Sequence, residues 1–100
     1  MILDLEVPDE LHPDSKRLVQ DFAKAMAEKL RAAEVKYGYS NGWLSTDWEI
    51  ECRAELYRHA EKGDPRDVAI YAAFCWLHKW STKTGGILKL VWASAKTSAL

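Results

Sequence analysis

The chain has 100 residues, 48% of them apolar and 29% charged, enough for one modest hydrophobic core and therefore one domain spanning 1–100. Fourteen basic and fifteen acidic residues leave a formal charge of −1, which excludes the basic footprint of a general nucleic-acid binder and the acid excess of a polyanion mimic. No apolar run approaches the roughly 20 residues of a membrane span, and acids stand where a secretory signal has bases, so a cytoplasmic protein without membrane contact is expected.

In residues 1–12, Leu3, Leu5 and Val7 alternate with Asp4 and Glu6 as far as Pro8, which predicts a short extended arm. From 14 to 37, Leu18, Phe22, Met26, Leu30 and Ala33 recur every three or four residues, while Lys16, Arg17, Lys24, Lys29 and Arg31 mostly fall elsewhere on the wheel. That pattern predicts a long amphipathic helix. Gly38-Tyr39-Ser40-Asn41-Gly42 should stop it in a loop. Thr46 and Glu49 have the spacing of a capping box, so a second helix is expected over 47–62 with Trp48, Cys52, Leu56 and His59 toward the core. Lys62-Gly63-Asp64-Pro65 reads as a stop and a restart: Gly63 suits the residue after a helix end, Asp64 an N-cap, and Pro65 the first helical position. A third helix over 65–80 should lie antiparallel to the second or cross it steeply. Ser81 to Gly86 reads as a loop. The apolar Ile87–Trp92 run is too short for its periodicity to separate helix from strand, so a C-terminal element over 87–95 is left of open type. The expected fold class is all-α, a small helical bundle of three to four helices with a short extended N-terminal arm.

Two cysteines, Cys52 and Cys75, are too few for a disulfide framework and too far apart for a CxxC motif, so both read as reduced core residues. Five tryptophans make a generous core; Trp43, in a loop with Tyr37 and Tyr39 nearby, could instead offer a platform for a base or for a second subunit. Glu51, Glu55 and His59 follow one slowly turning line on the second helix, while Asp67, Tyr71, Phe74 and His78 share a face of the third with Asp64 at its mouth. If those faces meet, four carboxylates approach one pocket, and hard oxygen ligands of that kind suit Mg²⁺. The plainer reading of the same residues is structural. Asp64 and Asp67 support a helix start, Glu51 and Glu55 sit within helical reach of Arg58 and His59, and His59 is a hydrogen-bonded core histidine. His12, beside Pro13, reads as a surface loop residue.

Lys36-Tyr37-Gly38, Gly42-Trp43, Trp48 to Glu55 and Gly63-Asp64-Pro65-Arg66-Asp67-Val68-Ala69 together resemble small phage and prophage members of the MazG-like all-α nucleoside triphosphate pyrophosphohydrolase superfamily, over roughly residues 18–80. The resemblance implies a helical bundle assembled as a dimer or tetramer, which uses Mg²⁺ (or Mn²⁺) to split a nucleoside triphosphate into monophosphate and pyrophosphate. The superfamily's hallmark is ExxE followed by ExxD. By position it implies Glu51, Glu55, Asp64 and Asp67 as metal ligands, with Glu51, Glu55 and Asp67 catalytic; here the first pair is spaced i,i+4 and an Asp stands at 64. Lys36, Trp43, Arg53 and Arg58 are the residues expected to meet the nucleotide. The competing expectation is a non-catalytic helical interaction module that docks a host protein through exposed aromatics.

Overall fold

A computed structural model describes residues 5–38 and 41–84, and within them the chain is all-α. Helix α1 spans Pro13–Tyr37, a single 3₁₀ turn covers Gly42–Leu44, α2 spans Glu49–Lys62 and α3 spans Pro65–His78. The first four residues of the arm, Tyr39 and Ser40 of the loop, and the expected element at 87–95 lie outside the described residues.

The helix punctuation follows local chemistry. His12 is the N-cap of α1: its Nδ1 accepts a hydrogen bond from the Asp14 amide at 3.0 Å, and Pro13 supplies the preset φ of a first helical residue. Gly38 and Gly63 close α1 and α2 in the left-handed region, at φ 73° and 91°, where a side chain would be strained. Asp64 caps α3 by accepting from the Arg66 amide at 2.9 Å. The expected capping box at Thr46 does not form. Helix α2 starts two residues later than its spacing suggested, with Trp48 at the N-cap and no side-chain cap. Trp48 is held instead by its indole N–H, which donates to the Trp43 carbonyl at 3.3 Å, and by edge contacts with Phe74 and Trp80. Packing of that large ring sets the start of α2 in place of the hydroxyl. Helix α3 ends at His78 because Lys79 takes a left-handed conformation, φ 61°.

The core lies between α2 and α3. Cys52, Ala54, Leu56, Ile70, Tyr71 and Cys75 are its buried apolar members, each helix contributing three, with Trp48, Tyr57, Val68, Ala72, Phe74 and Trp80 packed around it. Contacts from Cys52 to Cys75 and from His59 to Asp67 show the two helices antiparallel. Helix α1 packs on α3. Lys29 Nζ lies 3.6 Å from Asp67 in the first turn of α3, and Trp43, six residues beyond α1, stacks on Phe74 with ring centroids 5.6 Å apart. Six residues reach at most about 20 Å, so α3 runs in the direction of α1, giving an up-down-up bundle. Its 25 residues make α1 about 38 Å long, against about 21 Å for each 14-residue helix of the hairpin. The first half of α1 therefore extends beyond the hairpin, and Leu18, Val19 and Phe22 are exposed there although they continue the stripe of Met26 and Leu30. Residues 5–9 of the arm, without regular secondary structure before the turn at Asp9, line a shallow pocket with Lys16 and Gln20 of this part of α1.

Candidate functional site: the ion-pair cluster of the hairpin

Four buried charged or polar side chains meet where α2 faces the start of α3: Glu55, Arg58, His59 and Asp67. Placing such groups in a small core is costly unless each is paired. Arg58 grips Glu55 with two hydrogen bonds, Nε to Oε1 at 3.1 Å and Nη2 to Oε2 at 2.7 Å. That bond to Glu55, opposed by burial, raises the Arg58 pKa above its ordinary value. Arg58 Nη2 also lies 3.2 Å from His59 Nε2. A guanidinium can only donate, so Nε2 must accept, which makes His59 the neutral tautomer with its proton on Nδ1. That Nδ1 faces Asp67 Oδ2 at 3.4 Å. Burial, the largest influence, and Arg58 hold the imidazole pKa below its usual value, with Asp67 acting against them. Tyr71 stacks on the ring at 5.3 Å, and Lys29 of α1 approaches the other oxygen of Asp67.

Two carboxylates are thus met by two cations, with a neutral histidine between them. The cluster is balanced by the chain's own residues, and a metal ion drawing on Glu55 and Asp67 would have to displace Arg58 and Lys29. Among the described residues no group of three or more His, Cys, Asp or Glu side chains is disposed to hold a metal.

Of the residues expected at a metal pocket, Glu55 and Asp67 come together, bridged by His59. Glu51 is exposed on α2. Asp64 remains at the helix mouth, half-buried, where Arg66 hydrogen-bonds it and lowers its pKa. The residues expected to bind nucleotide are dispersed. Lys36 lies over the Tyr37 ring at 5.2 Å near the end of α1. Trp43 is stacked on Phe74, and its carbonyl meets both Trp48 Nε1 and His78 Nε2. Arg53 pairs with Glu49 and donates to the Lys83 carbonyl at 2.9 Å. Arg58 is inside the cluster. Sequence reasoning anticipated the Glu55–Arg58 and Glu55–His59 spacings but missed Lys29, which is four turns into another helix and carries no local signal. It also missed the cap formed by His12, for which the following Pro13 was the available clue.

The helix faces hold a second feature. From Val68 to Leu77 α3 carries no charged or amide side chain, so it is apolar on all sides. Its inner side holds Ile70, Tyr71 and Cys75, all buried, with Ala72 packed against them, whereas Ala69, Ala73 and Trp76 share the opposite side of the helix. Trp76 is 82% exposed, the highest value among the large apolar side chains described, and Leu77 beside it is 44% exposed.

No family model, no curated protein and no solved structure matches this chain. Among the described residues no helix is long and apolar enough to cross a membrane.

Proposed function

We propose that this protein is a helical interaction module without catalytic activity, and that the outward face of α3 is its contact surface. The observation that carries the reading is the all-round apolar character of α3 in a bundle that covers only part of it. Helices of that kind are ordinarily enclosed by other protein. The small Ala69 and Ala73 let another backbone approach, and Trp76 is the rigid aromatic anchor found at the centre of many interfaces. A second copy of the chain suits this surface, because the same face offers a projecting ring and the small-residue shelf that can receive it, as two-fold packing requires. A host protein presenting an apolar helix is the other occupant that the same face could take. Sedimentation equilibrium at tens of micromolar tests the first: the wild type should associate and Trp76→Asp should sediment as a monomer of unchanged helicity. A monomeric wild type whose Trp76 emission stays that of solvent-exposed indole at every concentration would remove self-association from this reading.

A second reading is kept by one observation, the meeting of Glu55 and Asp67 in a single cluster. We propose on that ground that Mg²⁺-dependent nucleoside triphosphate pyrophosphohydrolysis, with the phage-type superfamily as its source, be tested alongside. Release of pyrophosphate from any of the common triphosphates, lost in Asp67→Asn, would establish it. No release together with no thermal shift on adding Mg²⁺ or Mn²⁺ would leave the interaction reading alone.

A further inference from the structure

Cys52 and Cys75, 23 residues apart in the chain, meet at the open end of the hairpin, where the first turn of α2 faces the last turn of α3, with their Sγ atoms 3.8 Å apart. Neither is disulfide-bonded and both are buried, at 0% and 1% exposure. We propose that this pair is a site of covalent modification at which a small-molecule disulfide, glutathione disulfide being the class, oxidises the two thiols to an intrachain disulfide that locks α2 to α3.

The two sulfurs are already in van der Waals contact across antiparallel helices whose register is fixed by the short turn at Gly63, and closure needs an approach to roughly 2.05 Å. With only two cysteines in the chain, neither has another intrachain partner. The route for the oxidant is the end of α3. Cys75 lies in the last turn of that helix, which is closed by Lys79 in a left-handed conformation that a non-glycine residue adopts at a cost, and by Trp80, whose amide donates to the Cys75 carbonyl at 2.9 Å and whose ring packs on the thiol cluster. Unwinding this turn lifts Trp80 and uncovers Cys75, while Cys52 stays in the first turn of α2, whose start is held by the packed Trp48. Burial raises both thiols above the usual range, so reaction proceeds through that opening rather than from the closed state.

The exchange balances without further reactants. The Cys75 thiolate attacks one sulfur of glutathione disulfide, forming a mixed disulfide and expelling one glutathione thiolate. The Cys52 thiolate then attacks Cys75 Sγ and expels the second. The protein loses two protons and two electrons, and glutathione disulfide is reduced to two glutathione molecules.

Full-length reduced protein incubated in a glutathione redox buffer supplies the test, read by intact mass without reductant, by peptide mapping and by thermal unfolding. The expected product is a monomer lighter by two hydrogens, with one cross-linked pair of peptides carrying Cys52 and Cys75. Its unfolding midpoint should rise by about 10 °C or more, as closing a loop of about 24 residues requires, and should return on reduction. Cys52→Ala should stop at a single glutathione adduct on Cys75. The proposal is overturned if the wild type accumulates glutathione adducts or intermolecular dimers instead, if it stays reduced even just below its unfolding midpoint, or if the cross-linked form melts lower than the reduced one.

Discussion

Helix α1 and the α2–α3 hairpin use apolar residues in opposite ways. Helix α1 is the longest element and has the most regular amphipathic stripe, yet it contributes no buried residue. The two shorter helices contribute all ten of the buried residues described, four of them charged or polar. The contrast separates two things that a helical pattern conveys. Periodicity states which side of a helix is apolar, while the length of the neighbouring elements decides how much of that side is covered. A helix of about 38 Å laid against a hairpin of about 21 Å leaves the remainder of its stripe bare.

The sharpest way to break this comparison is inside the hairpin. Arg58→Ala leaves Glu55 buried with its main partner gone, and should cost about 3–5 kcal/mol in urea unfolding, a large part of the stability of so small a bundle. Replacing both partners, Arg58→Met with Glu55→Leu, should restore most of the loss, since a buried ion pair is worth little more than well-packed apolar groups. If Arg58→Ala costs less than about 1 kcal/mol, the cluster is open to water and Glu55 does not depend on Arg58 for its charge balance.

The next pair of substitutions tests the two regions against one another. Ile70→Ala removes a side chain with 0% exposure and should cost about 2–5 kcal/mol, whereas Leu18→Ala, at a position 69% exposed, should change stability by less than about 0.5 kcal/mol. A loss above about 1.5 kcal/mol for Leu18→Ala would show that something covers the first half of α1 in solution. Gly63→Ala probes the joint between the hairpin's helices. No atom lies within 4 Å of the added methyl, so the whole effect is the left-handed backbone, and a loss of about 1–2 kcal/mol is expected. A neutral outcome would mean that the turn can relax, which would weaken the fixed register on which the Cys52–Cys75 contact depends.

Much of the fold was legible because its determinants are local. Gly63-Asp64-Pro65 marked the joint to the residue, and α1 was readable from its period alone. The capping box failed for a non-local reason: Thr46 and Glu49 have the right spacing, but the Trp48 ring is claimed by Trp43, Phe74 and Trp80, and this packing fixes where α2 begins. The candidate site divides the same way. The contacts of Glu55 with Arg58 and His59 are one helical turn long and could be read from the sequence. The approach of Lys29 to Asp67 depends on how α1 lies against α3, and the contact of Cys52 with Cys75 depends on helix facing, neither of which any spacing encodes.

The smallest effect concerns the histidine at the centre of the cluster. His59 is neutral in the folded protein because Arg58 donates to its Nε2 and burial opposes a charge, so its folded pKa lies below the roughly 6.5 of an unfolded chain. The unfolded state therefore binds a proton at pH values where the folded state does not, and stability should fall as the pH drops below about 6.5, levelling off once the folded value is passed. One proton limits the slope to about 1.4 kcal/mol per pH unit, and above pH 7 it contributes none. Urea midpoints followed from roughly pH 7 to 5 for the wild type and His59→Gln should diverge on acidification, since His12 and His78 are common to both chains and cancel in the difference. A wild type that gains stability relative to His59→Gln as the pH falls would mean that His59 is held as a cation between Glu55 and Asp67. Arg58 would then have to face away from Nε2, and the tautomer on which the charge balance of the cluster rests would be the wrong one.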